Sequence, residues 1–228
     1  MGQHILPGEP PVEITVRKST RARRISLRVS GLDGRVTLTV PRGTSEREAL
    51  RFANDKGDWL RGHVQAQPEM VQVGIGDCLP VAGMMRRIVV GSGRRVLLGD
   101  DTLAVPGMPD RAAARLAGYL KTSARDRLAE ASDDYAARLG LPYGALSLRD
   151  TRSRWGSCTA KGGLMYSWRL IMAPPEVLRY VAAHEVAHLA EMNHSPDFWA
   201  VVQRLYGDYG APRRWLRQEG GALHRYRF

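Results

Sequence analysis

The chain has 228 residues and carries 34 basic against 23 acidic side chains, a formal net charge of +11. Its 43% hydrophobic and 25% charged content is ordinary for a globular protein and allows one large domain or two small ones. No apolar run reaches the roughly 18 residues of a membrane span, MGQHILPGEPPVEITV has no signal-peptide pattern, and two cysteines are too few for a disulfide framework; a cytoplasmic protein is expected.

Alternating apolar residues predict three strands near the start, around Ile14 and Val16, around Ile25, Leu27 and Val29, and around Val36, Leu38 and Val40. A turn is expected at 31–34, between the second and third. Arg17, Lys18, Arg21, Arg23, Arg24 and Arg28 form the densest basic cluster and fall on this strand pattern. They are either a solvated face or a surface for nucleic acid or another polyanion. No zinc-finger, homeodomain or RNA-recognition signature accompanies them. Ser45-x-x-Glu48 is a capping box, and the helix it starts continues through Leu50, Phe52 and Trp59. Residues 71–106 return to short strands, with a hairpin turn at Gly99-Asp100-Asp101. No internal repeat is visible.

A long helix is predicted from about 110 to 139, striped by Leu116, Leu120, Leu128, Tyr135 and Leu139 and ended by Gly140. A strand pair comes next at about 146–151 and 164–171. Pro174 and Pro175 introduce a helix from about 176 to 191, with Val177, Leu178, Val181, Val186 and Leu189 as its apolar face. Asn193 is expected as a left-handed stop. Ser195-Pro196-Asp197 restarts a helix whose apolar face is Phe198, Val201, Val202 and Leu205. Pro212 starts a last short helix with Trp215 and Leu216. The expected fold is α+β, with a strand-rich part and one helix at 1–108 and a helix-rich part at 109–228.

Within the second part, residues 184–194 read HEVAHLAEMNH. On a helix, His184 and His188 lie one turn apart on one face. Both imidazoles can reach a metal about 2.0–2.1 Å from their nitrogens. His194, in the corner before the next helix, is placed to be the third ligand. Three neutral imidazoles leave the fourth position of a tetrahedral zinc open, as in catalytic sites. Glu185 is then positioned as general base. Nickel, cobalt or manganese are also compatible with imidazole ligands.

Together, HEVAHLAEMNHSPDFW, the upstream RSRWGSC at 152–158 and YSWRLIMAPPEVLRYV at 166–181 resemble the YgjP-like metal-dependent hydrolases. These are a zincin-like group, also described as a metallopeptidase domain and more distantly related to the SprT and WLM proteases. The likeness is strongest over about 145–205 and extends through RARRISLRV at 21–29 and VTLTVPRGTS at 36–45. It implies a minimal zincin-like domain, His184, His188 and His194 as metal ligands, and Glu185 as catalytic base. The histidine spacing also matches the metzincin pattern, with Glu191 in place of that pattern's glycine. Nucleotide phosphoanhydride hydrolysis has also been associated with the group.

Around the motif, Arg154 is a candidate charge stabiliser for the intermediate, or else a structural ion pair. Gly156 suggests a tight backbone approach. Cys158 is a fourth ligand, a redox handle or, in the plainest reading, a small packed residue. Tyr166 is a hydrogen-bond donor to the site or a packed aromatic, and Trp155, Trp168 and Trp199 are expected in the core. The reading is a zinc-dependent hydrolase acting on peptides. The alternatives are a nucleoside triphosphate pyrophosphohydrolase using the same metal site, and a nucleic-acid-binding module with a structural zinc.

Overall fold

Near the N-terminus the period-two pattern becomes four strands, β1 (Gly2–Leu6), β2 (Val12–Ser19), β3 (Ser26–Val29) and β4 (Val36–Pro41). They form one sheet in the order β1-β2-β4-β3, with β2 and β4 parallel and the other pairs antiparallel. Alternate residues point to one face, so Val12, Ile14, Val16, Val36, Leu38 and Val40 are all buried. Two short helices, α1 (Glu46–Asp55) and α2 (Gly57–Gln65), complete this core with Ala49, Ala53 and Leu60. The Ser45 hydroxyl accepts from the Glu48 amide at 3.2 Å, as the capping pattern requires. The expected single helix is broken at Lys56, and Trp59 is left 46% exposed. Strand β1 is not among the elements that the apolar pattern predicts.

The computed structural model describes residues 2–30, 34–65 and 69–228. The turn expected at 31–34 lies, for its residues 31–33, outside the described residues. The basic cluster is only partly on strands. Arg17 and Lys18 sit on β2 and Arg28 on β3, whereas Arg21, Arg23 and Arg24 occupy the bends between those strands. The cluster lies at the surface of its unit.

The chain divides into two compact units, Met1–Glu69 and Met70–Phe228. The second opens with β5 (Val71–Gln72), then β6 (Cys78–Val81), β7 (Met84–Gly91), β8 (Leu97–Leu98) and β9 (Thr102–Pro106). Strands β6 to β9 form a sheet in the order β6-β7-β9-β8, again with one central parallel pair flanked by antiparallel ones. The expected turn closes β8 onto β9 through the Gly99 amide and the Thr102 carbonyl, 2.9 Å apart. The sheet leads through a 3₁₀ turn, Pro109–Arg111, into α3 (Ala112–Leu139). Leu116, Leu120 and Leu128 are fully buried along it. Gly140 ends it in the left-handed conformation at φ 77°, which costs glycine little.

Three strands come after α3: β10 (Leu146–Arg149), β11 (Gly156–Cys158) and β12 (Leu164–Ser167). Their order is β10-β12-β11, with β10 parallel and β11 antiparallel to β12. The strand expected at 164–171 stops at Ser167, and Trp168–Met172 is a buried 3₁₀ turn instead. The helices α4 (Pro175–Ala187), α5 (Pro196–Tyr206) and α6 (Gly210–Gln218) come next, then a 3₁₀ segment, Gly220–Arg225, and β13 (Tyr226–Arg227) beside β5.

Leu79, Ile88 and Leu103 of the sheet share one core with Leu116 and Leu120 of α3, Val186 of α4 and Phe198 of α5. Residues 71–106 therefore belong with the motif helices, and the division falls at 69/70 rather than 108/109. Periodicity shows that a strand has one buried face; it does not show which core that face joins. No helix among the described residues is long and apolar enough to cross a membrane.

Candidate metal centre

Helix α4 presents its motif from a rigid setting. Val181, Ala182, Ala183, Val186 and Ala187 are buried around His184 and Glu185. The helix ends sooner than the expected 191. His188 is its C-cap, still in right-handed conformation, and a turn succeeds it. Asn193 is not the left-handed stop. Among the described residues only Ala82 has positive φ outside glycine. Asn193 instead turns the chain with its side chain, whose Oδ1 accepts from the Ser195 amide at 3.1 Å. Ser195 then caps α5, its hydroxyl accepting from the Phe198 amide at 3.3 Å, with Pro196 as first helical residue.

This corner brings His184, His188 and His194 together, one nitrogen of each lying within 4.8 Å of the others. The His184 and His194 Nε2 atoms are 3.0 Å apart. Ligand nitrogens on a tetrahedral zinc stand about 3.3 Å apart, so this spacing fits such a centre. The His188 Nδ1–H donates to the Glu191 carbonyl at 2.9 Å. That bond fixes the tautomer and leaves Nε2 as the free lone pair, the usual arrangement of a metal-ligating histidine. Glu191 thus contributes its carbonyl at the place where the metzincin pattern has glycine.

The His184 Nδ1 is buried and has no hydrogen-bond partner among the described residues. Its ring is held by packing instead. Phe198, fully buried, lies with its centroid 4.9 Å from His184, 4.4 Å from His188 and 4.7 Å from His194. One aromatic ring therefore braces all three imidazoles. Burial, reinforced by His188, His194 and Arg213, pushes His184 down to about 3. Burial likewise lowers His188. Neutral imidazole is the form that binds a metal. The donor set, its spacing and the lowered basicity of His184 and His188 fit a divalent transition metal.

Glu185 is 5% exposed. Burial pushes its carboxyl up to about 8, against the opposing pull of Arg154. It lies against the backbone of β11, where a β-carbon at position 156 would stand 2.5 Å from Oε1 and 2.6 Å from Cγ. Gly156 is the tight approach that the sequence suggested. A cleft of about 230 Å³ opens here, with Arg154, Trp155 and Gly156 on one side and Tyr180, Glu185 and Leu216 on the other.

Other candidates resolve differently. Tyr166 is fully buried, its hydroxyl 3.0 Å from that of Ser132, and burial raises it well above the usual phenol range. It is a packed aromatic. Cys158 is a free, partly buried thiol outside the histidine cluster, and it donates to the Thr159 carbonyl at 3.4 Å. Trp168 is core, but Trp155 and Trp199 are half-buried and border the site. Sequence reasoning missed an aromatic ladder beside the histidines. Tyr209 stacks between Tyr180 and Trp199, with centroids 6.0 and 5.2 Å away, and the Arg213 guanidinium sits 4.4 Å from the Trp199 ring centre. Tyr180 stands one helical turn before His184, a signal the α4 periodicity contains.

Arg169 holds the loop before β11. Only 8% exposed, it donates to both oxygens of Asp150, at 2.6 and 3.2 Å. It also donates to the carbonyls of Leu223 and Tyr226, at 2.9 and 3.0 Å. The C-terminal segment is thereby stitched to the loop, and His224 packs on Trp155 at 5.2 Å between centroids.

No match is found among curated proteins. Among solved structures, the metallopeptidase zymogen of Pyrococcus abyssi abylysin is similar at 21% identity, covering 42% of this chain and 95% of that one, with a TM-score of 0.35. The model of the YgjP-like family, described as a metallopeptidase domain, matches residues 23–219, and the chain belongs to this family of metal-dependent hydrolases.

Proposed function

We propose that the protein is a zinc-dependent peptidase in which His184, His188 and His194 hold the metal and Glu185 is the general base. The observation that carries this reading is the convergence of three imidazole nitrogens within 4.8 Å beside the buried carboxyl of Glu185. A purely structural zinc has no need of such a carboxyl, and structural sites normally close with a fourth protein ligand. When bound, the metal supplies Lewis acidity toward the substrate carbonyl and the positive charge that returns Glu185 to its carboxylate form.

The chain's own residues perform the rest. Glu185 takes a proton from the attacking water and returns it to the leaving amine. Arg154, facing Glu185 across the cleft, stabilises negative charge as it develops on the substrate oxygen. Strand β11 is the outer strand of its sheet, and β12 occupies one of its edges. An extended peptide can add to the other edge, and Glu185 packs on β11 at Gly156.

The test pairs two variants with metal analysis. His188→Ala is expected to lose zinc and all turnover. Glu185→Gln is expected to keep zinc while peptide hydrolysis falls by at least about 10²-fold. Near-normal turnover in zinc-loaded Glu185→Gln would remove Glu185 as the base and favour a structural zinc. Release of pyrophosphate from nucleoside triphosphates, with no peptide cleaved, would replace the peptidase reading by the pyrophosphohydrolase one.

A further inference from the structure

We infer that the cleft beside Glu185 selects peptides carrying a carboxylate side chain next to the bond that is cut, an inference resting on the peptidase reading above. One guanidinium lines the cleft and two more stand on the helix that borders it. Arg154 lines it from the loop before β11. Leu216 of α6 lines it too, and Arg213 and Arg217, at i and i+4, share a face of that helix. Arg213 lies over Trp199, whose ring is 5.7 Å from that of His184. Tyr180 also borders the cleft, and the charges of Arg213 and Arg217 oppose the rise that burial imposes on its hydroxyl.

These three arginines lack what their neighbours have. Arg169 is paired with Asp150 at 2.6 Å and Arg179 with Asp134 at 2.8 Å. None of Arg154, Arg213 and Arg217 has a carboxylate within ion-pair distance among the described residues. The cleft's one carboxyl, Glu185, is assigned to proton transfer. Unneutralised positive charge in a concave, partly apolar site concentrates its field on whatever enters. A planar guanidinium binds carboxylate with two parallel hydrogen bonds. The open edge of β11 favours an extended chain as its bearer.

The test uses the full chain carrying Glu185→Gln, so that bound peptide is not consumed. Peptides identical except for a central Glu, Gln or Lys are titrated by calorimetry at low and high salt. The Glu peptide is expected to bind roughly tenfold tighter than the Gln peptide at low salt, with the Lys peptide weakest. Adding Arg154→Gln and Arg217→Gln together should bring the Glu and Gln affinities within about twofold of each other. The corresponding Lys substitutions should keep most of the preference, which separates charge from packing. Arg213 is left in place in these variants because it packs on Trp199.

Equal binding of the Glu and Gln peptides, or no binding of either, would overturn the inference. So would a preference that survives loss of both arginine charges, or a nucleoside triphosphate that binds while the peptides show no charge preference. Assays of the zinc-loaded parent chain separate the two claims. Peptides cut without regard to charge leave the peptidase reading standing and sink this one. A Glu preference in binding with no peptide ever cut sinks the peptidase reading and leaves only a carboxylate-binding cleft.

Discussion

The sheet β1-β2-β4-β3 and the sheet β6-β7-β9-β8 share strand order and the same central parallel pair, yet they serve different cores. The first is closed by the short helices α1 and α2 and buries Leu38 and Leu60 in a small core of its own. The second hands its buried face to the 28-residue helix α3, which packs in the same core as α4 and α5. Leu103 and Leu120 are therefore part of the body that holds the three histidines. Leu38 is not. The helix packed on a sheet, more than the sheet's own topology, decides whether it supports chemistry.

Matched truncations are the strongest way to break this comparison. Leu38 and Leu120 are both fully buried, so Leu38→Ala and Leu120→Ala should each cost about 2–5 kcal/mol in their own unit. Zinc content and turnover should fall with Leu120→Ala and stay near the parent level with Leu38→Ala. Thermal unfolding with metal analysis reads both, and equal loss of zinc in the two variants would end the distinction. A smaller and more local change sharpens it. Gly156→Ala forces a methyl group against Glu185 and should lower turnover about tenfold or more, with an overpacking cost of about 1–3 kcal/mol. Zinc should be retained. Unchanged kinetics would mean that β11 yields freely at that point.

Acid should act on the second unit through Asp150 and His224. Burial, with Arg169 beside it, pushes His224 down from the ordinary 6.5 to about 4. Its folded pKa lies below its unfolded one, so its stabilising contribution is complete above about 6.5 and is lost as pH falls toward 4. Asp150 has the same sign. Burial raises it, but the Arg169 hydrogen bonds and charge outweigh this and hold it below the usual carboxylate range. Its contribution is lost at still lower pH. Tryptophan fluorescence can track this, because four of the five tryptophans lie beyond residue 69. With Trp59→Phe the signal comes from the second unit alone. A midpoint that does not drop between pH 7 and pH 4.5 would contradict the assignment. The smallest effect is expected from Arg21, Arg23 and Arg24 replaced together by Gln. If these bends are a solvated surface, polyanion binding and its salt slope will match the parent and zinc content will not change. A flattened slope would give the first unit a recruiting role of its own.

Much of the geometry of the candidate site, the histidine cluster above all, is legible in the sequence because its determinants are local. The i, i+4 spacing, the Ser195-Pro196 start and the small residue at 156 each act over a few positions. The orientation of Asn193 is not legible, since either a left-handed backbone or a side-chain bond can turn the corner. The aromatic ladder is missed for another reason. Tyr180, Trp199 and Tyr209 come from different parts of the sequence, and stacking is a property of how α4 and α5 meet. The strand expectation at 168–171 fails although Trp168 and Ile171 favour strands, because that preference depends on context and the chain turns here instead. The repeated sheet topology leaves no trace in the sequence, because hydrogen-bonded strand order depends on backbone pairing and tolerates different side chains.

Arg169 also sets an order of events during synthesis. Asp150 and the loop before β11 leave the ribosome early, but the carbonyls of Leu223 and Tyr226 that complete the guanidinium's bonds arrive more than fifty residues after Arg169 itself. Folding proceeds from the N-terminus as the chain emerges. Domains fold largely as units, and Leu223 and Tyr226 belong to the core that carries the histidine corner, so the corner is completed with them. Until Tyr226 has been made, Arg169 can hold Asp150 but not the segment that carries the two carbonyls.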